Sequence, residues 1–241
     1  MSENGKEKRV TVSVVTATYN VANHLPRLIE SLLAQTDKDF EWVVADGAST
    51  DGTLELLQSV GDINIVISSQ PDFGIYDALN RGIKISSGEY YIVCGADDFF
   101  YNDAIANFRR TIVQSGADII VANAMYGQQC MKVRKGPPWL IGHAALIAAH
   151  TLATAFRKDL HRVFGFYSRK YPIAADQLFV MQADKGGATR YIDDFVAGEI
   201  GQDGVSSVDQ VGNATEVFRV QLTLGRSRTI QTLLLMLRLF K

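Results

Sequence analysis

The sequence predicts an α/β fold built on a doubly wound, mostly parallel sheet. Short apolar stretches rich in β-branched residues alternate with stretches whose apolar residues recur at helical spacing, and this order repeats through the first half of the 241-residue chain. The apolar stretches end on polar turns, several of which contain glycine. Right-handed crossovers return successive strands in the same direction, so this alternation favours a parallel sheet.

The first half of the chain contains five predicted strands with helices between them. The strands are expected at 10–18, 41–45, 64–69 and 118–122 and in the stretch that begins at Tyr90. The helices are expected at 24–33, from residue 53 onward, at 74–86 and at 103–114. Because a parallel sheet gathers the carboxyl ends of its strands, the turns that follow the strands are expected to share one edge.

The regular alternation stops after Asn123. A turn at 126–129 and the Gly-Pro-Pro punctuation at 136–138 predict antiparallel strands and loops that extend the sheet, and a helix is expected at 174–183. No stretch has the composition of a linker. We therefore expect a single domain with a first half (10–122), a second half (123–206) and a C-terminal helical tail (207–241).

Composition excludes several classes of partner. A formal net charge of −2 provides no general basic field, so nucleic acid is not an expected partner. Cys94 and Cys130 are too few and too differently placed for a disulfide framework. The polar start of the chain lacks the apolar core of a signal peptide, and no eighteen apolar residues follow one another. The expected location is cytoplasmic.

The last stretch, 226–241, has an apolar block with basic residues around it. It is predicted to form an amphipathic helix, and a basic helix with a large apolar face binds anionic interfaces. This would give the protein a peripheral contact with the inner face of the plasma membrane. The alternatives are a helix that closes the core and a helix that binds a partner.

The strand that begins at Tyr90 ends abruptly on two carboxylates, Asp97 and Asp98. Hard oxygen ligands at a strand end suit Mg²⁺ or Mn²⁺, which take one or two carboxylates and complete their shell with water and substrate phosphates. The alternative is that Asp98, which is followed by an aromatic run, opens the next helix.

Acidic residues follow three strands that are expected at the same edge of the sheet: Asp46 with Asp51, Asp72 with Asp77, and Asp97 with Asp98. Taken singly, each has an ordinary role in a turn, a helix cap or a solvated helix face. Together they indicate an acidic crevice. Carboxylates repel phosphate unless a divalent cation lies between them, so a nucleotide diphosphate with its metal is the expected ligand.

Several of these motifs, in this order and spacing, resemble the family 2 glycosyltransferases of GT-A fold. The motifs are Val43-Val44-Ala45-Asp46-Gly47-Ala48-Ser49-Thr50-Asp51-Gly52-Thr53, Asp72-Phe73-Gly74-Ile75-Tyr76-Asp77-Ala78-Leu79-Asn80-Arg81-Gly82 and Gly95-Ala96-Asp97-Asp98. The first strand with its loop, 13–20, and the segment Gln202-Asp203-Gly204-Val205-Ser206 are also similar to that family. The resemblance covers most of 10–206 and none of the tail.

The resemblance implies that the first half binds a nucleotide-diphosphate sugar. Its donor-binding residues would be Thr18, Asn20, Asp46, Asp77, Arg81 and Asp98, and His150 in a polar break is a further candidate for the diphosphate. Thr18 and Asp46 would contact the base and ribose. Arg81 would help close the donor site and compensate phosphate charge. A lone histidine such as His150 is otherwise a structural residue.

The resemblance also implies a metal site and a base. Asp97 would bind Mn²⁺ or Mg²⁺, although this chain has Gly95 where the family commonly has an acidic residue. Asp176 would remove the acceptor proton in an inverting transfer, and Ala175 stands where many relatives have a second acid. Its alternative role is a helix cap. The implied enzyme is a hexosyltransferase-type glycosyltransferase of surface polysaccharide biosynthesis that uses a glycan or lipid-linked acceptor.

Other functions compete with this one. A sugar-nucleotide pyrophosphorylase needs a glycine-rich, basic first loop, and 16–20 has neither glycine nor positive charge. A dinucleotide oxidoreductase needs a G-x-G-x-x-G turn after the first strand, which is missing. A non-catalytic module that binds a sugar nucleotide remains an alternative, because Gly95 and Ala175 both replace acidic residues.

Overall fold

One mixed sheet forms the centre of the protein. A computed structural model describes residues 11–148, 151–201 and 209–240. Within these residues the strands are β1 Val12–Thr18, β2 Phe40–Asp46, β3 Asn64–Ser69, β4 Tyr90–Val93, β5 Phe99–Phe100, β6 Ile119–Tyr126, β7 Gln129–Met131, β8 Thr154–Arg157 and β9 Arg190–Glu199. Their order is β3-β2-β1-β4-β8-β6-β9-β5, and β7 pairs with the end of β6.

Helices connect and cover the strands. They are α1 Leu25–Leu33, α2 Thr53–Gln58, α3 Ile75–Ile85, α4 Ala104–Ser115, α5 Pro138–Ile141, α6 Leu160–Phe164, α7 Ala175–Lys185, α8 Gln210–Thr223 and α9 Arg228–Leu239, with short 3₁₀ turns at Gly142–Ala145 and Thr151–Ala153. In α1 the residues Leu25, Leu28 and Leu32 recur at helical spacing and are fully buried. The elements predicted for the first half are present, so the α/β fold class is confirmed.

Strands β3, β2, β1 and β4 form the parallel half of the sheet. Every residue of β2 is buried, as expected for a strand with helices on both faces. The indole N–H of Trp42 in β2 is satisfied inside the core, because Nε1 donates to Thr16 Oγ1 at 3.0 Å. All four strands end at the same edge, and the turns that carry the acidic motifs follow them.

The regular strand order predicted up to β6 is interrupted in space. Strand β8 lies antiparallel between β4 and β6 and separates them. Ion pairs at the strand ends support this placement of β8. Arg157, the last residue of β8, bonds to Glu89 before β4 (2.6 Å) and to Asp118 before β6 (3.0 Å). An antiparallel β8 is the arrangement that brings its end beside the starts of both neighbours.

The extension of the sheet is mixed, so the prediction of added antiparallel strands is incomplete. The turn at 126–129 joins β6 to an antiparallel β7 as expected, but β9 runs parallel to β6. The aromatic run after Asp98 does not open a helix. Phe99 and Phe100 form β5, which pairs with the end of β9, and α4 begins only at Ala104.

The C-terminal tail contains two helices, α8 and α9, where the sequence predicted one. Helix α8 packs against α7, and α9 packs against α8. None of the helices in 11–148, 151–201 and 209–240 has the length and apolar character needed to cross a bilayer.

A buried polar cluster joins β4 to the second half of the chain. His161 Nδ1 is 3.0 Å from the Gly165 carbonyl, which only accepts, so Nδ1 carries the proton and Nε2 accepts from the Tyr91 hydroxyl at 2.7 Å. Tyr91 in turn accepts from Tyr167 at 3.1 Å. Burial lowers the pKa of His161 to about 4, so the ring is neutral in the folded protein near neutral pH.

Stability should therefore depend on His161 below neutral pH. The ring has its ordinary pKa of 6.5 when unfolded and about 4 when folded, so the unfolded state binds more protons between these values. The free energy of unfolding should fall by about 2 kcal/mol from about pH 7.5 to about pH 5. Urea unfolding of wild type, His161→Gln and, as control, the exposed His24→Gln measures this. If the free energy of unfolding of His161→Gln depends on pH as steeply as that of wild type, the lowered pKa of His161 is not the cause.

Candidate active site

The ends of β1, β2 and β3 are joined by one buried carboxylate. Thr18, Asp46 and Ser69 are direct neighbours across the three strands. The Thr18 hydroxyl donates to Asp46 Oδ1 at 2.9 Å, and the Ser69 hydroxyl donates to Oδ2 at 2.7 Å. Ser49, in the turn after β2, donates its hydroxyl to Oδ1 (2.5 Å) and its N–H to Oδ2 (2.9 Å).

These hydrogen bonds keep Asp46 charged although it is fully buried. Burial acts to raise the pKa of Asp46, but the donors on Ser49, Ser69 and Thr18 outweigh it and leave the pKa below its ordinary value. Asp46 and Thr18 thus bond to one another at the base of the crevice. The prediction that both contact the base and ribose is not tested by these contacts.

Asn20 ties the loop after β1 to the loop after β2. Its side-chain oxygen accepts from the Thr50 N–H at 2.9 Å, and its own N–H donates to the Ser49 hydroxyl at 2.8 Å. Asn20 has a φ of 51° and Ala48 a φ of 65°. Asparagine tolerates this left-handed conformation, but alanine does so at a cost of about 1 kcal/mol or more, which the surrounding bonds must offset.

An exposed aromatic ring that the sequence did not single out lies at this edge. Tyr19 is 65% exposed and projects from the end of β1. A Cβ atom at Gly47 would lie 3.2 Å from the Tyr19 ring and 2.9 Å from Asp72 Oδ2, so only glycine allows the turn after β2 to pass between them. The open face of such a ring is suited to stacking against a base.

Arg81 reaches from α3 to the same strand ends. Its Nη2 donates to the carbonyl of Asp46 at 2.6 Å, and Asp72 Oδ2 lies 4.0 Å away. The guanidinium therefore balances the carboxylate of Asp72 and holds the end of β2. Its predicted role in compensating donor phosphate remains a prediction.

Asp97 and Asp98 differ in their surroundings. Asp98 is buried, and its two carboxylate oxygens accept the N–H groups of Gly95 and Gly201, each at 2.8 Å. It thereby joins the end of β4 to the end of β9. Asp97 is partly exposed. The predicted contact of Asp98 with the donor sugar or metal is not tested by this arrangement.

Two glycines make room for these carboxylates. A Cβ atom at Gly201 would lie 2.0 Å from Asp97 Oδ2, and one at Gly95 would lie 2.9 Å from both Asp97 Oδ1 and Asp98 Oδ2. At Gly95 the next two acids approach the position that a side chain would occupy. A side chain there would require the ends of Asp97 and Asp98 to shift by a few tenths of an ångström.

The residues around Asp97 fit a divalent cation held by one carboxylate. Among the described residues no group of three or more histidine, cysteine or acidic side chains is placed to hold a metal. Mg²⁺ and Mn²⁺ accept a single protein carboxylate when a diphosphate supplies further oxygens. Asp97 is partly exposed, and Gly201 leaves room for its carboxylate, so Asp97 is the candidate for that ligand.

Asp176 lies on the second half of the chain in the first turn of α7. It is not the cap of that helix, because the N-cap is Ala174. Instead, Asp176 Oδ1 accepts from the Tyr76 hydroxyl of α3 at 2.7 Å. Burial and the nearby Asp176 charge raise the pKa of Tyr76 well above its ordinary value, so the hydroxyl stays a donor.

Helix α8 supplies a second support for this segment. The Glu216 carboxylate is buried and accepts the N–H groups of Ile173 and Ala174, both at 2.9 Å. These donors lie at the start of α7, where a negative charge is also favoured by the helix dipole. Glu216 and Tyr76 together fix the position of Asp176.

Asp77 connects the same turn of α3 to the loop before α7. One of its oxygens forms an ion pair with Arg169, and the other accepts the N–H of Phe73 at 3.2 Å. Arg169 also lies over the Phe73 ring, 5.2 Å from its centroid. Asp77 thus lies beside the junction of the two halves, and its role in donor binding remains a prediction.

The structure groups the predicted residues into two sets joined by α3. Thr18, Asn20 and Asp46 belong to the hydrogen-bonded loops after β1 and β2. Asp77 of α3 pairs with Arg169, and Asp176 of α7 accepts from Tyr76 of α3, so both contacts cross the junction of the two halves. His150 and the segment 202–206 lie outside the described residues. The sequence missed Tyr76 and Glu216, since each acts on a partner far along the chain.

Comparison with known proteins gives a consistent result. Residues 13–168 match the family model described as Glycosyl transferase family 2. A PGL/p-HBAD biosynthesis glycosyltransferase of Mycobacterium bovis is 31% identical over 198 residues, which cover 77% of this chain and 75% of that protein.

Solved structures share the fold. TarS of S. aureus has a TM-score of 0.72 at 20% identity, and the match covers 93% of this chain but only 42% of TarS. TarS has also been solved with UDP and with UDP-GlcNAc. The mannosyltransferase PcManGT of Pyrobaculum calidifontis, in complex with GDP-Man and Mn²⁺, has a TM-score of 0.69 at 19% identity and covers 88% of this chain and 63% of its own. The predicted GT-A fold is confirmed.

The Glu216 contacts predict a loss of stability when they are removed. Glu216→Ala leaves two N–H groups without their acceptor and should lower the free energy of unfolding by about 2–4 kcal/mol. Glu216→Gln keeps a carbonyl oxygen and should cost less. Urea unfolding of the three proteins measures the difference. A Glu216→Ala protein within about 0.5 kcal/mol of wild type would show that α8 does not support α7.

Proposed function

Because this chain belongs to glycosyl transferase family 2, we propose that it catalyses an inverting, metal-dependent transfer of a sugar from a nucleotide diphosphate. The acceptor is a hydroxyl of a glycan or a lipid-linked glycan, in surface polysaccharide biosynthesis. The observation that carries the mechanism is the hydrogen bond by which Tyr76 holds Asp176 at the junction of the two halves.

Asp176 is suited to act as the base. Tyr76 occupies Oδ1, and within the described residues Oδ2 makes no hydrogen bond. In the proposed step the acceptor hydroxyl gives its proton to Oδ2, and its oxygen attacks the anomeric carbon of the donor. The bond to the diphosphate breaks on the opposite face, so the configuration inverts. Tyr76 and Glu216 keep the carboxylate in place throughout.

Asp97 is the proposed ligand of Mn²⁺ or Mg²⁺. When bound, the cation supplies positive charge that stabilises the departing diphosphate. A solved relative of the same fold was crystallised with GDP-Man and Mn²⁺, which supports the choice of metal. The protein's own part is to hold Asp97 after the end of β4, where Gly201 leaves room for the Asp97 carboxylate.

The donor base is proposed to stack on Tyr19 above the bonded group of Thr18 and Asp46. The exposed ring and the buried carboxylate lie at adjoining strand ends, which places an apolar face beside a polar floor. Solved relatives bind UDP-GlcNAc and GDP-Man, so uridine and guanosine diphosphate sugars are the donors to screen first.

The acceptor is proposed to enter from the side of Phe73 and Arg169. Phe73 is 84% exposed, and Arg169 lies over its ring. An open aromatic face beside a cation suits a sugar ring with an anionic neighbour. The similar mycobacterial protein is described as a PGL/p-HBAD biosynthesis glycosyltransferase. For this chain the proposed acceptor is a glycan or a lipid-linked molecule.

The non-catalytic alternative rests on Gly95 and Ala175. Gly95 lies against Asp97 and Asp98, and Ala175 is buried in the core, where a second carboxylate would face away from water. Both departures from the family pattern are thus compatible with catalysis.

Replacement of Asp176 should separate chemistry from donor binding. Asp176→Asn removes the proton acceptor but keeps the bond from Tyr76, so turnover should fall about 10²–10⁴-fold. A thermal-shift screen of nucleotide diphosphate sugars with Mn²⁺ identifies the donor, and release of nucleotide diphosphate then measures turnover. Donor affinity should stay within about twofold of wild type. Asp184→Asn on the same helix is the control, and full turnover in Asp176→Asn would exclude this base.

Replacement of Asp97 should remove the metal dependence of donor binding. In wild type, chelation of Mn²⁺ should weaken donor binding about tenfold or more, because the diphosphate then faces carboxylates directly. Asp97→Asn should bind the donor equally weakly with and without Mn²⁺. The control is Asp103→Asn, an exposed residue before α4 whose side chain makes no cap bond. Calorimetric titration measures each affinity, and a metal effect that survives in Asp97→Asn would rule out this ligand.

A further inference from the structure

Helix α9 packs with a mixed polar and apolar side inward and leaves most of its large apolar side chains outward. The inward side consists of Gln231, Leu234, Leu235 and Arg238, which are buried or half-buried. The outward side consists of Ile230, Leu233, Met236, Leu237 and Phe240, which are exposed. Leu233 is 63% exposed and Phe240 is 88% exposed. This is the reverse of a helix that closes a core against water.

The inward polar residues bond to helix α5 and so help to orient α9. Three consecutive carbonyls of the one-turn helix α5 accept side-chain N–H groups from the tail. Gln221 of α8 donates to Pro138 at 2.9 Å, Gln231 to Trp139 at 2.8 Å, and Arg238 to Leu140 at 3.0 Å. The Pro138 carbonyl also accepts the N–H of Gly142, whereas α9 supplies the donors for Trp139 and Leu140. The same side chains also bury Gln231 Oε1 and Arg238 Nη1 without a hydrogen-bond partner among the described residues.

Helix α5 extends the apolar face of α9. Trp139 and Leu140 are themselves exposed, although their carbonyls are held by α9. Together with the outward side of α9 they form what we call the tail surface, which consists of Trp139, Leu140, Ile230, Leu233, Met236, Leu237 and Phe240. Contiguous exposed apolar residues of this size mark a surface that meets another apolar phase or partner.

The charges in the segments that form the tail surface are of one sign. Exposed Lys132, Arg134 and Lys135 precede α5, and exposed Arg226 and Arg228 precede or begin α9. The sequence contains no aspartate or glutamate between residues 119 and 158 or after residue 216. The whole chain has a formal net charge of −2, but the charged side chains in these two segments are all basic.

We propose that the tail surface rests on an anionic lipid bilayer. Leucine, methionine and aromatic side chains insert at the acyl boundary, tryptophan favours the headgroup level, and the flanking lysines and arginines attract anionic lipids. Charge argues against a second copy as the occupant. A symmetric dimer through this surface would bring like cations together with no carboxylate of either segment to pair them.

The location of the tail surface links it to the candidate active site. Helix α8 contacts α9 through the tail and holds the start of α7 through Glu216. The bilayer contact is therefore made by the tail, whose helix α8 supports the segment that carries Asp176. A membrane-bound acceptor would meet the enzyme on this side.

Vesicle co-sedimentation of the full chain tests the proposal without any donor or acceptor. The protein should pellet with vesicles of phosphatidylcholine and phosphatidylglycerol and much less with phosphatidylcholine alone. Leu233→Gln/Leu237→Gln should reduce the partition coefficient about tenfold or more, because two inserted side chains become polar. Arg226→Gln/Arg228→Gln should weaken binding to anionic vesicles about tenfold or more and leave binding to neutral vesicles unchanged, because two of the flanking cations are removed.

The control pair is Val113→Gln/Val163→Gln, which removes two exposed apolar side chains on α4 and α6. This pair should bind anionic vesicles like wild type, and thermal unfolding checks that every variant is folded. Equal binding by Leu233→Gln/Leu237→Gln and the control pair would overturn the proposal. The proposal would also be overturned if wild type bound no vesicles and light scattering showed a wild-type dimer that Leu233→Gln/Leu237→Gln dissociates.

Discussion

A buried, charged carboxylate organises the donor side of this protein. Asp46 ends β2 without contact with water, and it keeps its charge because donors from Thr18, Ser49 and Ser69 surround it. An unpaired carboxylate in this position would be strongly unfavourable. The three strand ends and the turn after β2 must therefore stay together. Asn20 and Ala48 hold left-handed backbone angles in this setting, since the bonded loops leave them no alternative.

A comparable constraint shapes the second acidic turn, where the decisive residues are glycines. Asp98 joins β4 to β9 by accepting from Gly95 and Gly201, and the space above those glycines is filled by the two carboxylates. Asp98 thus acts on the shape of the turn, and Asp97 is the partly exposed carboxylate of the two. A sequence motif records which residue types are present but not which of two neighbouring acids is buried.

The elements that local pattern determines were predictable, and the elements that distant partners determine were not. Strands β1 to β4 and their helices follow from alternation because each is specified by its own apolar residues. The insertion of β8 depends on Arg157 meeting Glu89 and Asp118, and the place of Asp176 depends on Tyr76, 100 residues earlier. Helix α8 was missed because its contacts, such as Glu216 with Ala174, satisfy another segment's backbone.

The C-terminal helix shows the same distinction in its sharpest form. Its amphipathic pattern identifies an apolar side but does not reveal whether that side faces the core or the outside. The decision lies in two polar residues, Gln231 and Arg238, which satisfy carbonyls that a one-turn helix leaves open. Turning Leu233 and Leu237 inward instead would take Gln231 and Arg238 away from those carbonyls. The side chains that bond to α5 therefore set which side of α9 faces outward, and the side that carries Leu233, Leu237 and Phe240 stays exposed.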